Sequence, residues 1–343
     1  MAINSFRWTP PRASEGFFMS REKKTRFHDL VSGMDGGSFD DLRGEVRARE
    51  CREWLGEADL SEMAESLGRK PACPECGSLS CRPWGRSKSG ERRYVCSDCG
   101  RTFQLLSQSA LAWSKRHLMD YAKALEMMSF NVPLDVVASV VGVHHNTALL
   151  WRRKAFATVA EWQRKTRLSG RVWIDEIYTF DYGDPGDHFR KMRRGLSKRK
   201  VCVCIAIDCR ESLVIFETGH GCPTSAELLR ALKGHIEPGS TIVHDGLMAH
   251  RRLIEALGSA DEVYKSTVKD EASLKAMLMI NSFSSWAKRY LDRFTGMRTK
   301  YLQDYLNWFA YVFRVKEQDE KWPKTERLLR HLLLSTENCK RSW

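Results

Sequence analysis

The sequence predicts an α/β class domain, a mixed sheet covered by helices on both faces, preceded by a helical segment and a small metal-binding module. Three observations predict it. Between 170 and 217, short β-branched and aromatic runs at 172–174, 201–207 and 213–216 read as three strands separated by a charged loop. Beyond 217, helix and strand patterns alternate, with a helix over 224–236, a strand at 241–243, a helix over 247–257 and a strand over 263–268, and two long helical patterns over about 271–292 and 298–316 close the region. Upstream, cysteine spacing and then apolar residues recurring at three and four mark separate modules.

The bulk numbers bound the answer. A chain of 343 residues can bury two or three cores. Lysine and arginine number 56 against 43 acidic residues, giving +13 and a pI near 9.3, which favours a polyanionic partner, with nucleic acid the best fit. The 11 cysteines are odd in number and the first seven residues show no apolar leader pattern, so a reducing compartment and metal-ligating cysteines are expected. The longest apolar run, 201–207, is strand-sized and well short of the ~18 residues a membrane span needs, so no membrane association is expected. The expected location is the cytoplasm.

Residues 1–70 open with a charged stretch rich in Gly, Ser and Pro and continue with helical patterns through Leu42, Val46, Cys51 and Leu55, then from Leu60 to Leu67. This N-terminal helical region reads as a packing or dimerisation appendage. Over 71–105, Cys73-Pro74-Glu75-Cys76 and Cys96-Ser97-Asp98-Cys99 are two CxxC pairs with 19 residues between them, the spacing of a four-thiolate zinc ribbon. Gly77 and Gly100 each follow the second cysteine of a pair, where the turn calls for positive φ. Cys81 is not needed as a ligand. Arg86, Arg92 and Arg93 on the intervening hairpin are either a solvated rim or a phosphate-contacting finger, and charge density favours contact.

Over 106–168, the run from Pro133 to Lys154 reads as a helix-turn-helix. Ala138 sits where two helices cross and Gly142 makes the turn. His145, Asn146 and Arg152 are then placed to face a major groove, with Arg153 adding charge, while Leu149 and Leu150 pack inward. A plain helical hairpin is the alternative; the basic cluster and the neighbouring ribbon favour DNA.

In the α/β region, 169–316, Asp175 ends the run 172–176 and so brings a carboxylate to the middle of a sheet, where burial is costly unless it is paired or metal-bound. Asp245 follows a second strand, 241–244, and precedes Gly246. Two carboxylates at neighbouring strand centres can share divalent ions of the kind used in phosphodiester chemistry. Asp208, by contrast, heads a turn. Lys198, Arg199 and Lys200 end a basic loop that reads as a DNA clamp or, almost equally, as a solvated hairpin. The pattern 301–309 is an amphipathic core stripe, and 317–343 is a C-terminal helical tail.

The segment 280–294, INSFSSWAKRYLDRF, with 299–309, TKYLQDYLNWF, resembles the ISXO-like insertion-sequence transposases, and the resemblance extends over about 70–316. It implies an RNase H-like core of the retroviral-integrase type and a DNA transposase that cuts transposon ends and joins their 3′-hydroxyls to target DNA without a covalent protein intermediate. It also implies, in place of a third catalytic glutamate, asparagine followed seven residues later by lysine, here Asn281 and Lys288. Asn281 lies 36 positions after Asp245. Residues seven apart share a helix face, so both can look into one site. The implied cofactors are Mg²⁺ or Mn²⁺ on Asp175, Asp245 and Asn281, with Zn²⁺ in the ribbon; asparagine brings an oxygen without charge, and Lys288 can anchor a phosphate. The implied partners are double-stranded DNA, at transposon ends and target, and further copies of the chain on that DNA, which places the protein at the nucleoid. Two rivals stand beside this reading: a domesticated zinc-ribbon DNA-binding regulator, and a metal-dependent nuclease that does not join strands.

Overall fold

The computed structural model describes residues 21–334 apart from 57–59, 67, 69, 87–91, 106–108, 112–115, 117, 181–199, 266, 269, 295–296 and 318–323. The chain forms two compact units, residues 1–58 and 59–343. In the first, α1 (Arg21–Ser32) and α2 (Gly36–Leu55) are helices; Asp35 caps α2 by accepting a hydrogen bond from Ser38 N, and Gly56 ends it in the left-handed conformation.

The second unit begins with α3 (Leu60–Ser66), so this helix, inside the stretch expected to be N-terminal, goes with the remainder of the chain. A three-stranded antiparallel sheet follows, β1 (Cys81–Arg86), β2 (Arg92–Cys96) and β3 (Thr102–Gln104). Its small core of Tyr94, Phe103 and Leu105 packs beside Cys73 and Cys96. Glu65 of α3 joins this sheet, accepting from Tyr94 Oη at 2.9 Å and pairing with Arg92. Four helices come next: α4 (Leu118–Ser129), α5 (Leu134–Val141), α6 (His145–Thr158) and α7 (Ala160–Lys165). Gly142 turns the chain between α5 and α6 at φ 69°, a conformation that only glycine adopts without strain.

The α/β region contains β4 (Arg171–Phe180), β5 (Lys200–Asp208), β6 (Leu213–His220), α8 (Ser225–Leu232), β7 (Thr241–His244), α9 (Arg251–Leu257), β8 (Ala260–Val263), α10 (Glu271–Leu291) and α11 (Leu302–Glu317), with α12 (Lys324–Leu334) beyond. The strands lie in the order β6-β5-β4-β7-β8. Only β5 runs against the others, since β4 pairs antiparallel with β5 and parallel with β7, and β7 is parallel to β8. That order with that one reversal is the RNase H-like arrangement.

Residue alternation along each strand sends side chains to opposite faces. Val172, Ile174, Cys204, Ala206, Val214 and Ile242 meet Leu228 and Leu232 of α8 and Leu253 and Leu257 of α9. The residues between them face α10, where the Trp173 indole N–H donates to Ala276 O at 2.8 Å. The expected 224–236 helix is shorter and opens with a capping box of Thr224 and Glu227, and Asp208 heads a turn, accepting from Arg210 N and Ser212 N.

One strand lies elsewhere than expected. The β-branched and aromatic residues of 263–268 predict a strand there, whereas β8 is Ala260–Val263. Edge position explains it: β8 is largely exposed and needs no apolar face, its Asp261 and Glu262 instead meeting His244 and Arg171. Leu228 is fully buried on the helical face away from α10. Leu228→Ala is expected to cost about 2–5 kcal/mol, read in urea as a lower midpoint at unchanged slope.

Candidate active site and metal centre

Asp175 and Asp245 are brought together by strand register. β4 and β7 pair through Trp173 and Val243; Asp175 lies two residues further along β4, and Asp245 two residues on, in the bend just past the end of β7. Register thus brings the two carboxylates to the same end of the paired strands, near enough for the Asp245 charge to raise the Asp175 carboxyl. Both residues are half-buried. Ser284 of α10, itself buried, donates its hydroxyl to Asp175 Oδ2 at 2.5 Å. Asp245 Oδ1 accepts from Leu247 N at 3.0 Å. Gly246 makes that turn at φ 93°, and a Cβ there would lie 3.0 Å from the Val263 side chain. A bulkier residue would strain both the backbone and its neighbour.

Electrostatics mark the pair. Burial pushes the Asp175 carboxyl above its usual range, and the neighbouring charges of Glu176 and Asp245 add to the rise; the Ser284 hydroxyl pulls the other way. A divalent cation relieves this strain by favouring the ionised form. Two adjacent carboxylates, one raised by burial, are a donor set that fits Mg²⁺ or Mn²⁺.

Asn281 and Lys288 flank Ser284 on α10, three residues before and four after, and so share the side of the helix that reaches Asp175. Both are exposed, and among the described residues neither bonds to either aspartate. Sequence reasoning missed Ser284, whose signal was present: it is the one-turn neighbour of both Asn281 and Lys288.

Alternation sends Glu176 to the opposite face from Asp175. There Glu176 Oε1 lies 2.8 Å from His250 Nε2, and His250 Nδ1 lies 3.0 Å from His244 Nδ1. His250 is fully buried and the Glu176 side chain is 5% exposed. His244, Asp245 and His250 also bring ligand-type atoms within 4.8 Å of one another. Burial and the adjacent His250 hold His244 below the usual histidine range. These histidines too went unread in the sequence, where a His lacks any spacing signature.

The four cysteines converge as expected. Sγ of Cys73 and Cys99 are 3.4 Å apart, those of Cys76 and Cys96 3.6 Å, and all four lie within 4.8 Å. Gly77 and Gly100 turn at φ 73° and 70°. The Cys99 and Asp98 N–H groups draw the Cys96 thiol down to about 6, which favours the thiolate a metal needs. Cys81 stays outside, its thiol donating to Ser78 O. The group can hold a metal ion, and four thiolates suit zinc.

The expected DNA-contacting residues differ in exposure and in what they touch. Asn146 is exposed at the start of α6, His145 beside it is exposed with its Nε2 3.4 Å from Asp135 Oδ1, and Arg86 is exposed on β1. Arg92 pairs with Glu65, and Arg93 donates to Thr102 Oγ1. Arg152 stacks on Phe294 and Tyr305, and Arg153 lies 4.6 Å from the Tyr301 ring centroid. Both therefore line a cleft of about 570 Å³ toward α11 with Arg293, Arg298 and Lys300. Inward packing of α6 is done by Ala148, Trp151 and Ala155, with Leu149 and Leu150 half-buried, because the buried stripe falls one position away from the expected one. Lys198 and Arg199, with the rest of the loop to 199, lie outside the described residues. Lys200 is half-buried at the start of β5, its ammonium 5.7 Å from the Phe180 ring centroid.

A raised carboxyl has a definite consequence for stability. Between its ordinary and raised values the folded chain binds the extra proton, so stability falls as pH rises through that window. Asp175→Asn is therefore expected to be more stable than the wild type at pH 7 in magnesium-free buffer, by urea denaturation. Added Mg²⁺ should stabilise the wild type and leave the variant unmoved.

No curated protein sequence matches this chain. Among solved structures, the pre-cleavage Mos1 transpososome is similar at 13% identity over 61% of this chain and 77% of that one, with a TM-score of 0.22. The Mos1 strand transfer complex gives 15% over 64% and 79%, with a TM-score of 0.21. Likenesses of that size are too slight to speak to fold or chemistry. The family comparison is specific: residues 167–314, which contain β4 to β8, α10, both aspartates and the Asn281/Lys288 pair, match the ISXO2-like transposase domain.

Proposed function

We propose that the protein is a DNA transposase that binds the ends of an insertion sequence, cleaves them by metal-dependent hydrolysis and joins the 3′-hydroxyl ends to target DNA. The observation that carries this reading is the pair Asp175, on β4, and Asp245, just past the end of the neighbouring parallel strand β7, within the segment that matches a transposase domain. These two carboxylates, with the Asn281 amide oxygen, would hold Mg²⁺ or Mn²⁺. Bound there, the ion supplies an activated water and stabilises charge on the attacking and leaving oxygens.

The chain's own residues do the rest. Ser284 fixes one Asp175 oxygen and leaves the other to turn toward a ligand. Leu247 N does the same for Asp245. Lys288, exposed on the flank of α10, anchors a phosphate of the bound strand. No nucleophilic side chain is required, since water and then a DNA hydroxyl are the attacking groups. The cysteine module binds zinc and orders the ribbon whose exposed Arg86 would meet backbone phosphate, and His145 and Asn146 at the start of α6 reach base edges. Two DNA ends must be handled together, so the working form is a homo-oligomer on DNA.

The test is cleavage of a labelled duplex carrying the element's terminal sequence. Asp175→Asn and Asp245→Asn should each abolish cutting while leaving DNA binding intact by gel shift. Undiminished cutting by either variant would refute the assignment. A pre-cut end separates the enzymatic rival: a transposase joins it to target DNA, and a simple nuclease does not.

A further inference from the structure

The β4–β7 ladder stops at Trp173 and Val243, before either aspartate. The two strands therefore reach Asp175 and Asp245 without the backbone pairing that fixes their spacing further back. What joins them at that level is on the reverse face of the sheet. The imidazole of His250 bridges the gap, with Nε2 2.8 Å from Glu176 Oε1 on β4 and Nδ1 3.0 Å from His244 Nδ1 at the end of β7.

The bridge is built rather than incidental. Gly246 N–H donates to His244 Nδ1 at 3.1 Å, which makes that nitrogen an acceptor and leaves His250 Nδ1 as the donor between the rings. The same ring is thus tied to the turn that carries Asp245. His250 N donates to Leu247 O at 3.0 Å, and Leu247 N to Asp245 Oδ1, so the backbone around His250 closes on the same carboxylate. His250 is 0% exposed and the Glu176 side chain 5%, so loss of the bridge leaves a buried carboxylate oxygen without this partner, while His244 Nδ1 keeps the Gly246 N–H. His244 Nε2 lies 3.8 Å from Asp261 Oδ2 on β8, beyond hydrogen-bond distance.

We propose that His250 is a positioning residue that clamps Glu176 to His244 behind the sheet and thereby holds Asp175 and Asp245 at the spacing a shared divalent cation requires. This rests on the reading of those aspartates as the cation's ligands. Outer-shell partners of this kind set metal affinity without touching the metal, and their loss weakens binding about tenfold to a hundredfold.

The measurement is Mn²⁺ binding to the full chain by electron paramagnetic resonance, which needs no DNA and no turnover. Four proteins are compared: wild type, Asp175→Asn, His250→Leu and His250→Gln, each checked for the wild-type circular dichroism spectrum. The wild type is expected to bind, Asp175→Asn to lose the site, and His250→Leu to bind about tenfold to a hundredfold more weakly. His250→Gln, which keeps an amide able to bond one partner, is expected to fall between them and to test the clamp should His250→Leu fail to fold. Wild-type affinity in Asp175→Asn sinks the aspartate reading itself. Loss in Asp175→Asn with wild-type affinity in a folded His250 variant sinks the clamp alone. Metal analysis of the dialysed proteins supplies a last check: the same zinc content is expected in wild type and His250→Leu, and a tightly held transition metal missing from the variant would make His250 a ligand and overturn the positioning role.

Discussion

Two carboxylates held side by side at the centre of a sheet are an unfavourable thing to fold around, and the rest of the α/β unit is arranged to tolerate them. Burial and mutual charge both oppose ionisation of Asp175. The structure answers with one hydroxyl from α10, one backbone N–H at Asp245, and a turn that only glycine fits. Those contacts aim the carboxylates without neutralising them. The remaining deficit is the driving force for binding a cation, so the stability the site lacks when metal-free is what makes it a site.

The sheet supplies the rigidity that this demands. β5 is buried from Val201 to Asp208 and pairs with β4 along its full length, so the strand bearing Asp175 is anchored on that side by a complete ladder. On its other side the ladder to β7 is short, and alignment beyond it falls to side chains. α8 and α9 seal one face with aliphatic residues, while α10 crosses the other with Ser284 inward and Asn281 and Lys288 at its flanks. Arg152 and Arg153 of α6 and Arg293, Arg298 and Lys300 share a cleft, so positive charge runs from α6 onto the end of the α/β region.

Much of this was legible in the residues. Paired CxxC spacing gave the metal-binding module because four thiolates at a fixed interval have few other uses. β-branched runs gave β4 and β5, since strands buried on both faces are continuous in apolar character. β8 was misplaced because an exposed edge strand needs no such character. Asp175 could be proposed from its place in a strand-like run, though β4 continues past the expected 172–176 to Phe180, and Asp245 from a strand end, but their adjacency follows from a parallel crossover that local pattern does not encode. Ser284 and the Glu176–His250–His244 chain were illegible for the same reason: their partners lie between 6 and 109 residues away, and single Ser, His and Glu residues carry no periodic signal. Arg92, Arg152 and Arg153 show the converse error, in which charge density suggests free cations and tertiary contacts engage them.

The central claim is that Asp175 and Asp245 hold one divalent ion between them. A crystal of the full chain soaked in Mn²⁺ and measured for anomalous scattering tests it most directly. The account predicts an anomalous peak in contact with both carboxylates, on the α10 face of the sheet. Manganese bound elsewhere, with the space between these two side chains empty, would contradict it.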